Sequence, residues 1–241
     1  RNVSITLNSQ TYTAAVQLNG TWSVTVPAVD VSALTEGTKS VSASYTGIYG
    51  SSGSNSHSVF VDSIVPTITT AVVSGLDSAD VAKTAVLNAG DKVQVVLTSN
   101  EAITGFTTSD KVSIQVGTTA RDALWVSSSG NQHTFRYTLQ TGDLDSTGGI
   151  ALNSLTVAGV IDIATNALSL TLPAQTNTLV VDGVAPAITS VSLTAATGAV
   201  ASILNAGDML TATVVFDDIV NVAGGVPTIG LTIGSTLVQA A

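Results

Sequence analysis

Leu87-Asn88-Ala89-Gly90-Asp91 returns letter for letter as Leu204-Asn205-Ala206-Gly207-Asp208, 117 residues further on, and each copy leads into an alternating apolar stretch. Alternation with a period of two reads as a half-buried β-strand, and Asn, Gly and Asp in front of it are turn residues. Working outward, Asp62-Ser63-Ile64-Val65-Pro66-Thr67-Ile68-Thr69 is echoed by Asp182-Gly183-Val184-Ala185-Pro186-Ala187-Ile188-Thr189 at an offset of 120 residues. Val112-Ser113-Ile114-Gln115-Val116-Gly117 aligns with Ile229-Gly230-Leu231-Thr232-Ile233-Gly234, again at 117. A repeat this long exceeds solenoid periods and matches one whole β-sandwich domain.

The expected fold is all-β, a string of tandem immunoglobulin-like β-sandwich modules. Residues 63–183 form one complete repeat, residues 184–241 the N-terminal part of a second copy, and residues 1–62 the C-terminal part of a β-module of another type. In that first unit Val3 to Leu7 alternates, Thr11 to Gln17 alternates in part, and Asn19-Gly20 predicts a tight hairpin into a strand over Thr21 to Val26. Ala241 matches Leu124, ahead of any counterpart of the strand Thr134 to Leu139. Both ends are therefore expected to cut through modules, leaving open edges and uncovered apolar faces. Continuation of the polypeptide is the favoured cover, and self-association or strand exchange with neighbouring chains the other.

Composition narrows the function. Hydrophobic residues make up 44% and charged residues 10%, with Val, Ala, Leu and Ile interleaved with Thr and Ser, which suits strands over helices. Sixteen acidic against seven basic residues give a net charge of −9, which repels phosphate backbones and anionic lipid headgroups. Neither nucleic acid nor membrane insertion is expected, and no apolar run reaches the length of a spanning helix. With no cysteine there is no disulfide, thiolate metal site or cysteine nucleophile.

Several stretches, taken in order, resemble a known group. They are Leu7-Asn8, Tyr12, Asn19 to Pro27, the Leu34 to Gly37 corner and Val61-Asp62 to Pro66. In the next unit come Leu87 to Asp91, Asn100 to Thr104, Phe135 to Leu139, Gly142-Asp143 and Asp162-Ile163-Ala164-Thr165-Asn166. The chain resembles the Ig-like repeats of giant bacterial surface adhesins and biofilm-associated proteins, including RTX-type, type I secreted ones. That resemblance implies a secreted, extracellular stalk on the cell surface that projects an adhesive tip, with calcium stiffening the module junctions. Tyr45 to Gly50, where such units commonly carry an acidic turn, has no carboxylate.

Asp62 and Asp182 stand just before Pro66 and Pro186 at the junctions, where proline restricts the linker. Glu101 and the pair Asp217-Asp218 occupy equivalent turns, so Asp62 with Glu101, and Asp182 with Asp218, are the candidate ligands of a junctional Ca²⁺. The alternative is solvated turn acids, because Ca²⁺ takes 6–8 oxygens and spacing alone does not show convergence. Asp162 with Asn166, and Gly142-Asp143-Leu144-Asp145, resemble calcium loops but lack EF-hand spacing. Asp91 and Asp208 read as structural turn acids. His133 shares a strand face with Phe135, Tyr137 and Leu139 and reads as a hydrogen-bonded structural histidine, while His57 lies among Ser, Asn and Gly. Trp22 and Trp125 read as packing residues, with sugar stacking as the alternative. No phosphate loop, nucleophile elbow or catalytic base stands out, so the chain is not expected to be an enzyme. The expected function is that of structural spacer repeats of an adhesin in surface attachment or biofilm formation. The alternative is a segment of a self-assembling surface layer or filament.

Overall fold

The computed structural model describes residues 1–198 and 203–240, and apart from one short helix its regular structure is β. The first unit contains β1 (Asn2–Leu7), β2 (Gln10–Ala15), α1 (Ala28–Ser32), β3 (Gly37–Thr46) and β4 (Ser52–Val61), forming an antiparallel sheet in the order β2-β1-β3-β4. Its core is small: Val3, Ile5 and Ala14, with Tyr12, Val24 and Val41 packed against them. The tight hairpin turn falls at Asn8-Ser9, both at positive φ (48° and 64°), between β1 and β2. Residues 21–26 join no ladder, a departure from the expected strand. Both neighbours of β1 are already taken, by β2 and β3, and Asn19 instead caps a local turn, its Oδ1 accepting from the Thr21 amide and hydroxyl.

The second unit contains β5 (Ile68–Leu76), β6 (Lys92–Ser99), β7 (Lys111–Val116), β8 (Thr119–Ser129), β9 (Gln132–Thr138), β10 (Leu144–Asp145), β11 (Ala151–Thr156) and β12 (Val181–Asp182). Six of them form one antiparallel sheet, β11-β7-β8-β9-β6-β5, and β10 pairs with β12. β8 makes this arrangement possible. Its first half, Thr119 to Leu124, pairs with β7, and its second half, from Leu124 onward, pairs with β9, with a bulge between Trp125 and Ser127. Bulges bend strands and let them pass from one layer to another, so the two halves of the sheet can face a common interior. That interior holds Val93, Val95, Leu97, Val112, Ile114 and Phe135, all 0 % exposed, in one cluster with Ile150, Leu155 and Val181.

The third unit contains β13 (Ile188–Thr197), β14 (Met209–Phe216), β15 (Ile229–Ile233) and β16 (Thr236–Ala240), paired as β13-β14 and β15-β16. Its inward positions remain exposed: Leu204 at 44 %, where Leu87 is at 0 %. Ala241, the residue matched to Leu124, lies outside the described residues.

Candidate metal centre

Asp62 follows β4, in the linker between the first and second units. Its own Oδ1 accepts from the Ile64 amide 3.2 Å away, bending the chain back on itself. The linker is then clasped to the second unit. The Thr67 amide donates to Asn100 Oδ1 at 2.7 Å, the Asn100 amide to the Thr67 carbonyl at 3.0 Å, and the Ser169 amide to the Pro66 carbonyl at 2.9 Å. Glu36 holds it from the other side, accepting from the Ser63 amide at 2.9 Å.

Glu101 follows β6, on the loop that Asn100 anchors. Three residues later, Thr104 and Ile161 exchange backbone hydrogen bonds of 2.8 and 3.0 Å, drawing the loop after β6 against the turn that begins at Asp162. In that turn the Asn166 amide nitrogen donates to Asp162 Oδ1 at 2.9 Å, and Thr165 sits at φ 73° to close it. The result is a cluster in which carboxylate oxygens of Asp62, Glu101 and Asp162 all lie within 4.8 Å of one another. They come from three segments far apart in sequence.

The cluster carries negative charge without a basic counterpart: among the described residues, no ion pair involves Asp62, Glu101, Asp162 or Glu36. Desolvation first, then the charges of Asp62 and Asp162 and more weakly Glu36, push the Glu101 carboxyl above its usual range. Asp162, 2 % exposed, behaves oppositely. Burial pushes it up, but the side-chain and backbone N–H donors of Asn166 and its neighbours outweigh that and hold it below the usual range. Asn166, a candidate ligand in the sequence, spends its side-chain amide on Asp162 Oδ2 (2.8 Å) and the Asp62 carbonyl (3.2 Å). It thereby orients the Asp162 carboxylate and ties the Asp62 backbone to the same turn.

Two oxygens on one Ca²⁺, each bound at about 2.3–2.6 Å, can stand up to about 5 Å apart, so the spacing of the three carboxylates suits a single ion of that size. The donor set is all oxygen and anionic, which favours a hard cation over zinc or copper. Three carboxylates leave coordination positions for carbonyl oxygens or water.

The second junction repeats part of this geometry. Asp182 Oδ1 accepts from the Val184 amide at 3.1 Å, as Asp62 does from Ile64, and Asp217 takes the place of Asn100, accepting from the Ala187 amide at 2.7 Å. Asp182 and Asp218 line one hollow there with Asn88, Thr141 and Pro186. Among the described residues the triad at Asp62 is the sole group of three acids close enough to share an ion.

The other acids have structural partners. Asp143, 2 % exposed, accepts from Arg121, from the Tyr137 hydroxyl at 2.7 Å and from the Gln140 amide. Burial and this bond push the Tyr137 phenol up to about 12. Asp91 Oδ2 accepts from the Asn88 amide (2.7 Å) and Lys83, and Asp208 Oδ2 caps the matching turn through the Asn205 amide (2.6 Å). His133 is 0 % exposed, with Ser128 Oγ 2.8 Å from Nδ1 and Ser99 Oγ 3.3 Å from Nε2. Trp125 packs parallel to Phe106 at 6.2 Å between centroids and donates to Ser128 Oγ.

No family model and no curated protein matches the chain. A search of solved structures returns one described as a Ca²⁺-stabilized adhesin that helps an Antarctic bacterium reach out and bind ice. It is 19% identical with a TM-score of 0.42, and the alignment covers 99% of this chain and 53% of that one, so the chain spans about half its length.

Proposed function

We propose that this chain is a run of structural spacer modules from a large extracellular bacterial adhesin, serving attachment or biofilm formation, with Ca²⁺ at Asp62, Glu101 and Asp162 stiffening the junction between two units. The observation that carries the reading is the convergence of three carboxylates at a linker that both flanking units grip by hydrogen bonds. A cation there ties the linker acid to two loops of the following unit. In its absence, the repulsion among the three carboxylates, which adds to desolvation in raising Glu101, opposes closure of the same contact. Such a device gives reach, because a rod of locked modules holds a distal binding domain further from the cell than a flexible chain does. Low positive charge limits adhesion to polyanions along the shaft. The second reading is a segment of a surface layer or filament, for which ordered lattices formed by the purified protein would be the sign.

Thermal unfolding of the chain in Ca²⁺ and in EDTA tests the proposal. Ca²⁺ at about 100 times Kd is expected to stabilise the junction by about 2.7 kcal/mol, as any ligand of the folded state does. Asp162→Asn and Glu101→Gln are expected to remove that gain. Glu101→Gln in EDTA is expected to melt no lower than the parent chain, since it relieves repulsion. A parent chain that melts identically in Ca²⁺ and EDTA rules out the cation and favours the lattice reading.

A further inference from the structure

Asn19-Gly20 is the sole Asn-Gly pair in the chain, and it stands at the tip of an exposed turn after β2. Two backbone bonds close the turn, the Gln17 amide to the Thr21 carbonyl at 2.8 Å and the Gly20 amide to the Gln17 carbonyl at 3.0 Å. Gly20 lies at φ 83°, and a Cβ there would meet nothing within 4 Å, so the backbone beside its nitrogen is uncrowded. The Asn19 side chain folds back over this stretch: its Oδ1 accepts from the Thr21 amide at 3.0 Å and from the Thr21 hydroxyl at 2.7 Å. Such an Asx turn holds the side-chain carbonyl carbon beside the intervening peptide nitrogen, and two donors on the oxygen draw electron density from that carbon. Asp182-Gly183 has the same turn, with Asp182 Oδ1 accepting from the Val184 amide at 3.1 Å, but its nitrogen is held differently. The Gly183 amide donates to the Asp143 carbonyl at 2.7 Å, and a Cβ on Gly183 would stand 2.7 Å from the Gln140 carbonyl oxygen. Every other asparagine precedes a residue with a side chain, and Asn100, Asn166 and Asn177 are clasped across the fold by hydrogen bonds.

We infer that Asn19-Gly20 is a self-modification site, in which the Gly20 nitrogen attacks Asn19 Cγ and Thr21 holds the developing oxyanion. Hydroxide takes the Gly20 amide proton, and the nitrogen forms a bond to Cγ as the C=O electron pair moves onto Oδ1, which the Thr21 amide and hydroxyl stabilise. The pair returns, the Cγ–Nδ2 bond breaks, and Nδ2 leaves as ammonia with a proton from water, closing a cyclic imide. Water then opens the imide at either carbonyl: cleavage at Cγ leaves aspartate, and cleavage at the main-chain carbonyl leaves a β-linked isoaspartate. Either product adds a negative charge. The second also inserts a methylene into the main chain, so the turn closed by Gln17 and Thr21 loses its register. That turn leads to Val24, which packs against Val3, Ile5 and Ala14, and the change loosens the cover of the first unit's core.

The test is incubation of the 241-residue chain in mildly alkaline buffer, followed by peptide mapping that resolves aspartate, isoaspartate and imide at each asparagine. Asn19 is expected to convert at least about tenfold faster than any other asparagine, and about tenfold faster again one pH unit higher, because the step needs the deprotonated nitrogen. Gly20→Ala is expected to slow it at least about tenfold by placing a side chain beside the attacking nitrogen. Thr21→Val keeps the amide donor and removes the hydroxyl. It is expected to slow conversion about threefold, less than in a buried oxyanion hole because the turn is exposed, and Thr21→Ser to restore it. Conversion at Asn19 no faster than at the other asparagines overturns the inference without recourse to any variant. So does a Thr21→Val chain that converts as fast as the parent, because Asn19 then reacts by its sequence alone.

Discussion

Glu101, Asp162 and His133 show how the same burial gives opposite consequences according to what surrounds a group. Glu101 is pushed up by desolvation and then by the carboxylates beside it; Asp162 meets N–H donors that hold it down; His133 meets two serine hydroxyls and the Phe106 ring, and burial lowers its pKa. The imidazole is 0 % exposed, with the Phe106 ring 4.7 Å away between centroids, so a proton there would be poorly solvated. Because the folded value lies below the unfolded value near 6.5, stability is fully present above that pH and is lost as pH falls through the lower folded value. Denaturant titrations from pH 7 to 5 are therefore expected to show a steeper loss for the parent chain than for His133→Gln, by at most about 1.4 kcal/mol per pH unit. Parallel slopes would mean that the ring takes up its proton in the folded state. In the sequence, His133 was placed correctly on a strand face with Phe135, but its two serine partners come from β6 and β8, which pairing alone brings together.

Gly117 and Gly234 occupy the same turn of the repeat, between β7 and β8 and between β15 and β16, at φ 55° and 62°. A Cβ at Gly117 would stand 2.1 Å from the Leu144 carbonyl oxygen, whereas at Gly234 it would meet nothing within 4 Å. Alanine at Gly234 thus carries only the left-handed backbone cost of about 1 kcal/mol, while at Gly117 it must also displace β10. The expected outcome in denaturant unfolding is a loss of about 3 kcal/mol or more for Gly117→Ala, against about 1 kcal/mol for Gly234→Ala. Equal losses would show that the β10 segment yields freely. At this scale the strands were largely legible, since period-two alternation marks β1, β6, β7, β14 and β15 directly. The first hairpin was not: Asn8-Ser9 lacks the glycine that flags a tight turn, whereas Asn19-Gly20 has it and leads into residues that join no sheet. α1 was missed as well, a five-residue helix with no buried side chain, tied in through Asp30 to the Tyr12 hydroxyl at 2.9 Å.

Stability is graded along the whole molecule, because apolar burial is concentrated in the second unit: eighteen hydrophobic side chains between Ile68 and Val181 form its core, against three in the first unit's cluster. Limited proteolysis is expected to cut first within residues 184–240 and last within residues 68–182, read by mass spectrometry of the early fragments. First cuts inside β6 or β9 would contradict this order. By itself the sequence determined the all-β class, the 117- to 120-residue repeat and the presence of acids at each junction. These are properties of local periodicity and of one stretch matched to another. Only the tertiary structure decided which acids meet. Asp62, Glu101 and Asp162 converge because the Asn100–Thr67 and Thr104–Ile161 hydrogen bonds fold three distant loops onto one point, and Asn166 turns its amide toward them. Tertiary structure also buries Leu87, gathering Val93, Phe135 and Val181 into one core with it, which nothing in its five-residue stretch signals.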